Sequence, residues 1–227
     1  MMDSPITTPQ TLRPHCVDSE LPRQTSCATI ASVTPDQSAT YTVGYFVGSL
    51  SAKSINRALS QVLIKLAPPN LNFTEIRIAD LPLYKRDLDD NYPLEATTLK
   101  ESIAAVDAVL FVTPEYNRDI PGGLKNAIDW ASRPWGKNSF AHKPSAVIGA
   151  SPGKIGTAVA QQNLRSILGF LDSPQMNAPE AYIQITPGLL GDEGEVTDET
   201  TEQFLRDFMV AFEIFIVRVH SVVPQRT

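Results

Sequence analysis

Five short runs of branched and aromatic residues alternate with helical stripes along this chain, and that alternation limits the folds open to it. The runs are YTVGYFVGS (41–49), NFTEIRI (72–78), DAVLFVT (107–113), PSAVIGAS (144–151) and EAYIQIT (180–186). Helical spacing follows each of them. In SINRALSQVLIKLAPP (54–69), Ile55, Leu59, Val62, Leu63 and Leu66 fall on one face, and Pro68-Pro69 stop the helix. Further helices are predicted over about 94–105, 122–133, 156–172 and 200–221, with a long polar loop at 78–93. Most of the runs are apolar on both sides of the strand, as buried parallel strands require. NFTEIRI alternates instead and reads as nearer an edge.

A β-α-β-α order of this kind predicts an α/β, flavodoxin-like three-layer sandwich, with a five-stranded parallel sheet in order 2-1-3-4-5. In such a sheet a ligand sits beyond the carboxyl ends of the strands at the switch point. The loops that would meet there are GSLSAKSINR (48–57), TPEYNRDIPGG (113–123) and ASPGKIGT (150–157), all dense in small, polar or conformationally special residues. The first brings Ser49, Ser51, Lys53, Ser54 and Asn56 to a helix N-terminus, whose free N–H groups favour a phosphate monoester. It is neither a GxxxxGK[ST] loop nor a GxGxxG turn. The plainer reading makes Ser54 a helix cap and the other serines turn residues.

In the second loop, Pro114 and Tyr116 offer a wall for a flat ligand, Asn117 suits a tight turn, and Gly122-Gly123 permit close approach. Glu115 has a plainer reading too, as a carboxylate near the next helix's N-terminus. The third loop offers further backbone N–H groups. Trp130 and Trp135 read as packing residues.

Composition excludes several classes. Hydrophobic residues make up 42% of the 227-residue chain and the net charge is −6, so this is globular composition with no general affinity for nucleic acid or anionic membranes. The only cysteines, Cys16 and Cys27, lie near the start, and His15, His142 and His220 are scattered. Neither cysteine catalysis nor a metal centre is therefore expected. No apolar run approaches the ~20 residues of a membrane-spanning helix. Without a basic and apolar leader pattern, the expectation is a cytoplasmic protein. Residues 1–39, rich in Pro, Ser, Thr and Gln, are expected to be a flexible tail preceding one domain over 40–227.

Four stretches, VGSLSAKSINR, ADLPLY (79–84), TPEYNRDIPGGLKNAIDWASRP (113–134) and MNAPEAYI (176–183), closely resemble the NADPH-dependent FMN reductase family. This group includes quinone, chromate and azo-dye reductases. The resemblance runs from about Tyr41 to Val219 and implies FMN as cofactor with NADPH or NADH as co-substrate. It implies a ping-pong transfer of hydride through FMN to a small-molecule electron acceptor such as a quinone, and a homodimer or homotetramer. By the same resemblance, the FMN phosphate falls to Ser49, Ser54 and Asn56. Ser51 stands where the family pattern has Arg, and Lys53 and Arg57 are the nearby cations that would compensate. The ring falls to Pro114, Glu115, Tyr116 and Asn117, with Ser151 and Gly153 at its other edge. Arg118 is a candidate for the nicotinamide phosphate or for a subunit contact. No residue is assigned a catalytic role, because the cofactor carries the redox step. Rival expectations are a flavodoxin-type electron carrier and a non-catalytic binding protein on the same fold.

Overall fold

The structure, a computed structural model, describes residues 39–191 and 195–223. The expected tail over 1–39 lies outside these apart from Ala39.

Five strands form one parallel sheet: β1 (Tyr41–Val47), β2 (Leu71–Glu75), β3 (Ala108–Val112), β4 (Ser145–Ser151) and β5 (Tyr182–Gln184). Their order is β2-β1-β3-β4-β5, as expected from the alternation. Helices α1 (Ile55–Leu66), α2 (Leu94–Ala104), α3 (Gly122–Ala131), α4 (Ala158–Phe170) and α5 (Glu199–Val222) connect and follow them. Strand boundaries are tighter than the sequence runs, most of all at β5, where three residues pair.

Strand alternation splits the core in two. Val43, Tyr45 and Val47 of β1, Leu110 of β3 and Ile148 of β4 face α1 and α5. Phe46, Val109, Phe111 and Val147 face α2, α3 and α4. On that second face, Phe46 stacks on Phe111 with ring centroids 4.9 Å apart. The aromatic pair adds about 0.5–1.5 kcal/mol beyond its burial and locks the pairing of β1 with β3.

Helix α1 starts where Ser54 accepts a hydrogen bond from the Arg57 N–H at 3.2 Å. It buries Leu59, Val62 and Leu63 and ends before Pro68. At the far end of the chain, Asp198 caps α5 by accepting from the Thr201 N–H at 2.7 Å.

The polar loop at 78–93 is tied down by Trp130, which is fully buried. The Trp130 indole N–H donates to the Pro82 carbonyl at 2.7 Å, and the Tyr92 hydroxyl donates to the Trp130 carbonyl at 2.7 Å. Both Tyr84 and Tyr92 meet the indole edge-on. Trp135 departs from its expected packing role. It is 78% exposed, because the chain leaves α3 at Ser132 and carries it past the core, with the Arg133 guanidinium over its ring.

Lys100 reaches from α2 to the end of α3 and donates to the carbonyls of Ala131, Arg133 and Lys137 at 2.9, 2.7 and 2.6 Å. The Ala131 carbonyl lies at the negative end of the α3 dipole, and the other two belong to the segment after the helix, so the ammonium ties that segment to the helix end. Burial nonetheless lowers the Lys100 pKa to about 8.

Candidate functional site

The carboxyl ends of β1, β3 and β4 converge on one cleft. Its walls enclose about 220 Å³, lined from the first loop by Ser49, Ser51, Lys53, Ser54 and Asn56, from the second by Pro114, Glu115 and Tyr116, and from the third by Ser151 and Pro152. Eight of the ten site residues expected from sequence therefore stand together. Asn117 and Gly153 sit outside that lining, on exposed loop tips.

Two hydroxyls bridge the first and second loops. The Ser49 Oγ lies 3.4 Å from the Tyr116 hydroxyl and accepts the Ser51 N–H at 3.3 Å. Beside them, Ser54 lines the cleft at the start of α1 and caps that helix.

Asn56 has a more demanding position. It is 2% exposed, its Nδ2 donates to the Ala150 carbonyl, and its Oδ1 accepts the Ala150 N–H, both at 2.9 Å. Strand β3 has turned away by this point, since its last ladder bond runs from the Thr113 N–H to the Ile148 carbonyl. The Asn56 amide thus takes the place of the missing strand neighbour two residues further along β4. It fastens the first loop to the third, with one N–H and the oxygen of its amide engaged by Ala150.

Glu115 is likewise committed. Its side chain is 9% exposed and its Oε2 accepts the Val159 and Ala160 N–H groups at 3.0 and 3.1 Å. The carboxylate caps α4, not the next helix in sequence, and offsets the positive end of that helix's dipole. Its Oε1 accepts from Arg118 at 3.1 Å. Arg118 is therefore an ion-pair partner of Glu115, with its side chain 68% exposed.

The turn itself is a two-residue hairpin. Tyr116 and Asp119 exchange both backbone bonds, and Asn117 and Arg118 both have positive φ, 52° and 68°. That is the pattern of a type I′ turn, for which Asn is well suited and Arg is not. Asn163 on α4 stabilises it by donating to the Arg118 carbonyl and the Asp119 carboxylate.

Close approach beneath the site depends on Gly149. A Cβ there would lie 2.1 Å from the Thr113 carbonyl oxygen and 2.4 Å from Thr157 Oγ1. Sequence reasoning passed over this glycine, because only the pairing of β3 with β4 reveals the contact.

Of the two compensating cations, Arg57 is spent. It makes a bidentate pair with Glu75 at 2.8 and 2.9 Å. That hydrogen-bonded pair raises the Arg57 pKa and holds the Glu75 carboxyl below its ordinary range. Lys53 lines the cleft, and no carboxylate of a described residue pairs with it.

The donor set is thus a helix N-terminus, four serine hydroxyls and one lysine beside a tyrosine and proline wall. It fits a phosphate monoester carrying a flat ring. The model of the NADPH-dependent FMN reductase family matches residues 41–187. The chain belongs to that family. It is an FMN-dependent oxidoreductase that uses NAD(P)H. Among the family's curated members, a 2-hydroxy-1,4-benzoquinone reductase from Burkholderia sp is 44% identical over 174 residues, covering 77% of this chain and 95% of that protein. A quinone reductase from Pseudomonas putida is 45% identical over 177 residues, covering 78% and 95%. Among solved structures, the flavoenzyme NAD(P)H:(acceptor) oxidoreductase FerB from Paracoccus denitrificans superposes with a TM-score of 0.76 at 48% identity, covering 79% of this chain and 98% of that one. No helix among the described residues is long and apolar enough to cross a membrane.

Proposed function

We propose that this reductase passes reducing equivalents from NAD(P)H to quinones, with FMN held in the three-loop cleft. When bound there, FMN would supply the redox chemistry of a ping-pong cycle, in which hydride from NAD(P)H, together with one proton from solvent, would reduce a quinone to its hydroquinone. The observation that carries the reading is the meeting of Ser49, Ser51, Ser54, Pro114, Tyr116 and Ser151 around one cavity at the strands' carboxyl ends.

Ser49, Ser51 and Ser54 hold the phosphate, together with the free N–H groups of α1 and Lys53 in place of the family arginine. Pro114 and Tyr116 flank the ring on one side, and Ser151 and Gly153 approach its other edge. Asn56 and Glu115 act at one remove. They hold the first and second loops against β4 and α4, so the cleft is preorganised before any ligand arrives. Asn117 shapes the turn that presents Tyr116. Since Tyr116 is 50% exposed, that side of the cleft is open to solvent, which suits a flat acceptor that enters and leaves freely. Quinones are favoured among such acceptors by the activities named for the Burkholderia and Pseudomonas relatives. A homodimer or homotetramer and a cytoplasmic location belong to the same proposal.

The test is a purified protein reconstituted with FMN. A yellow complex should bleach anaerobically on adding NADPH or NADH, and benzoquinone should restore the colour faster than chromate, an azo dye or free flavin. Protein that takes up no FMN would refute the site. Bleached protein that reoxidises no faster with benzoquinone than with the other acceptors would refute the substrate class. Sedimentation analysis reads the oligomer.

A further inference from the structure

A second and larger cavity, of about 660 Å³, opens directly beside the phosphate end of the cleft. Lys53, Ser54, Ile55 and Pro152 line both spaces. Pro114, Tyr116 and Ser151 line only the smaller one. The larger space therefore continues from the phosphate end and leads away from the ring end. A nicotinamide must lie on the ring to transfer hydride, so the nicotinamide itself does not occupy this space.

The chemistry of its walls says what kind. One wall is the first two turns of α1, with Ala58 and Gln61. The other is the segment after β5, with Ile185, Thr186, Pro187 and Leu190. Apolar side chains suited to a flat base line both walls, and Thr186 carries a hydroxyl for its edge, while Gln61 is hydrogen-bonded with Tyr45. Its volume lies within the ~300–1,000 Å³ typical of small-molecule sites. At the junction stands Lys53, whose ammonium has no carboxylate partner among the described residues. The other cation on the rim, Arg57, is neutralised by Glu75.

We propose that the flavin site extends into this cavity and accepts FAD as well as FMN. The AMP half lies between α1 and the segment after β5, and Lys53 sits beside the pyrophosphate. This rests on the placement of the FMN phosphate at the α1 N-terminus proposed above. Continuity from the phosphate position favours a flavin dinucleotide, since the second phosphate, ribose and adenine extend along that line. A lysine at the junction neutralises part of the added negative charge without requiring a fixed bidentate geometry.

Calorimetric titration of FMN and of FAD into the apo-protein tests it, using the wild type and two variants that plug the cavity from opposite walls, Ala58→Trp and Thr186→Trp. The wild type should bind FAD at least as tightly as FMN. In each variant FAD affinity should fall about tenfold, equivalent to about 1.4 kcal/mol, while FMN affinity stays within about twofold. If the FAD-to-FMN affinity ratio in both variants equals that of the wild type, the AMP half does not occupy this cavity and the proposal is overturned. Wild-type protein that binds neither flavin would overturn the placement of the phosphate and this proposal with it.

Discussion

Replacing Asn56 with Ala removes two 2.9 Å hydrogen bonds to Ala150 and leaves a buried N–H and a buried carbonyl at the end of β4 without partners. Each bond contributes about 0.5–1.5 kcal/mol net, and each orphaned group costs about 1–3 kcal/mol where water cannot reach it. The cleft lies against Asn56, so water will reach part of the gap, and the loss of stability is about 2–4 kcal/mol. For a protein of this size that corresponds to a fall in Tm of about 5–12 °C. Urea denaturation of the apo-protein measures it without interference from flavin binding. The change should appear in the midpoint with the slope unchanged. Asn56→Asp should recover little, because it keeps the acceptor for the Ala150 N–H but sets a carboxylate against the Ala150 carbonyl. Flavin affinity should also fall in Asn56→Ala, since the first and third loops are no longer pinned together. An apo-protein within about 0.5 kcal/mol of the wild type would refute the idea that Asn56 stands in for a strand neighbour. The residue's role would then lie in direct contact with the ligand.

Glu115→Ala should destabilise the apo-protein by about 1–3 kcal/mol by uncapping α4 and freeing Arg118, read as a lower urea midpoint. Gly149→Ala should cost about 1–3 kcal/mol or more, because the Thr113 carbonyl it would strike is backbone and cannot rotate away; thermal melting measures it. Lys100 titrates at about 8 in the folded protein against 10.5 ordinarily. The unfolded chain therefore binds more protons between those values, and the wild type should gain stability relative to Lys100→Met as pH rises from about 8 toward 10. A stability difference that is flat or falling over that window would show that the three carbonyls outweigh burial.

Much of the architecture was legible in the order of its parts. Parallel strands buried on both faces read as nearly continuous apolar runs, and DAVLFV and PSAVIGA are of that kind. The alternating NFTEIRI duly lies at the sheet edge as β2. Ser54 was legible as a cap because capping is local, spanning three residues. Trp135 was not, because whether an aromatic at a helix end turns inward depends on the path of the chain that follows.

Local chemistry in the sequence by itself determined the strands, the helices, their starts, and the three loops that carry polar and glycine-rich residues. The rule that ligands gather at strand carboxyl ends then located the cleft. Only the tertiary structure decided what each polar side chain does there. Asn56 meets Ala150 across 94 residues, and Glu115 meets α4 across 44. Such pairs leave no spacing pattern, because the distance between them is set by the stacking of whole elements and not by the period of any one. The same is true of the two cations. Arg57 and Lys53 look equivalent along the chain, yet the end of β2 brings Glu75 to one of them and leaves the other facing the cleft.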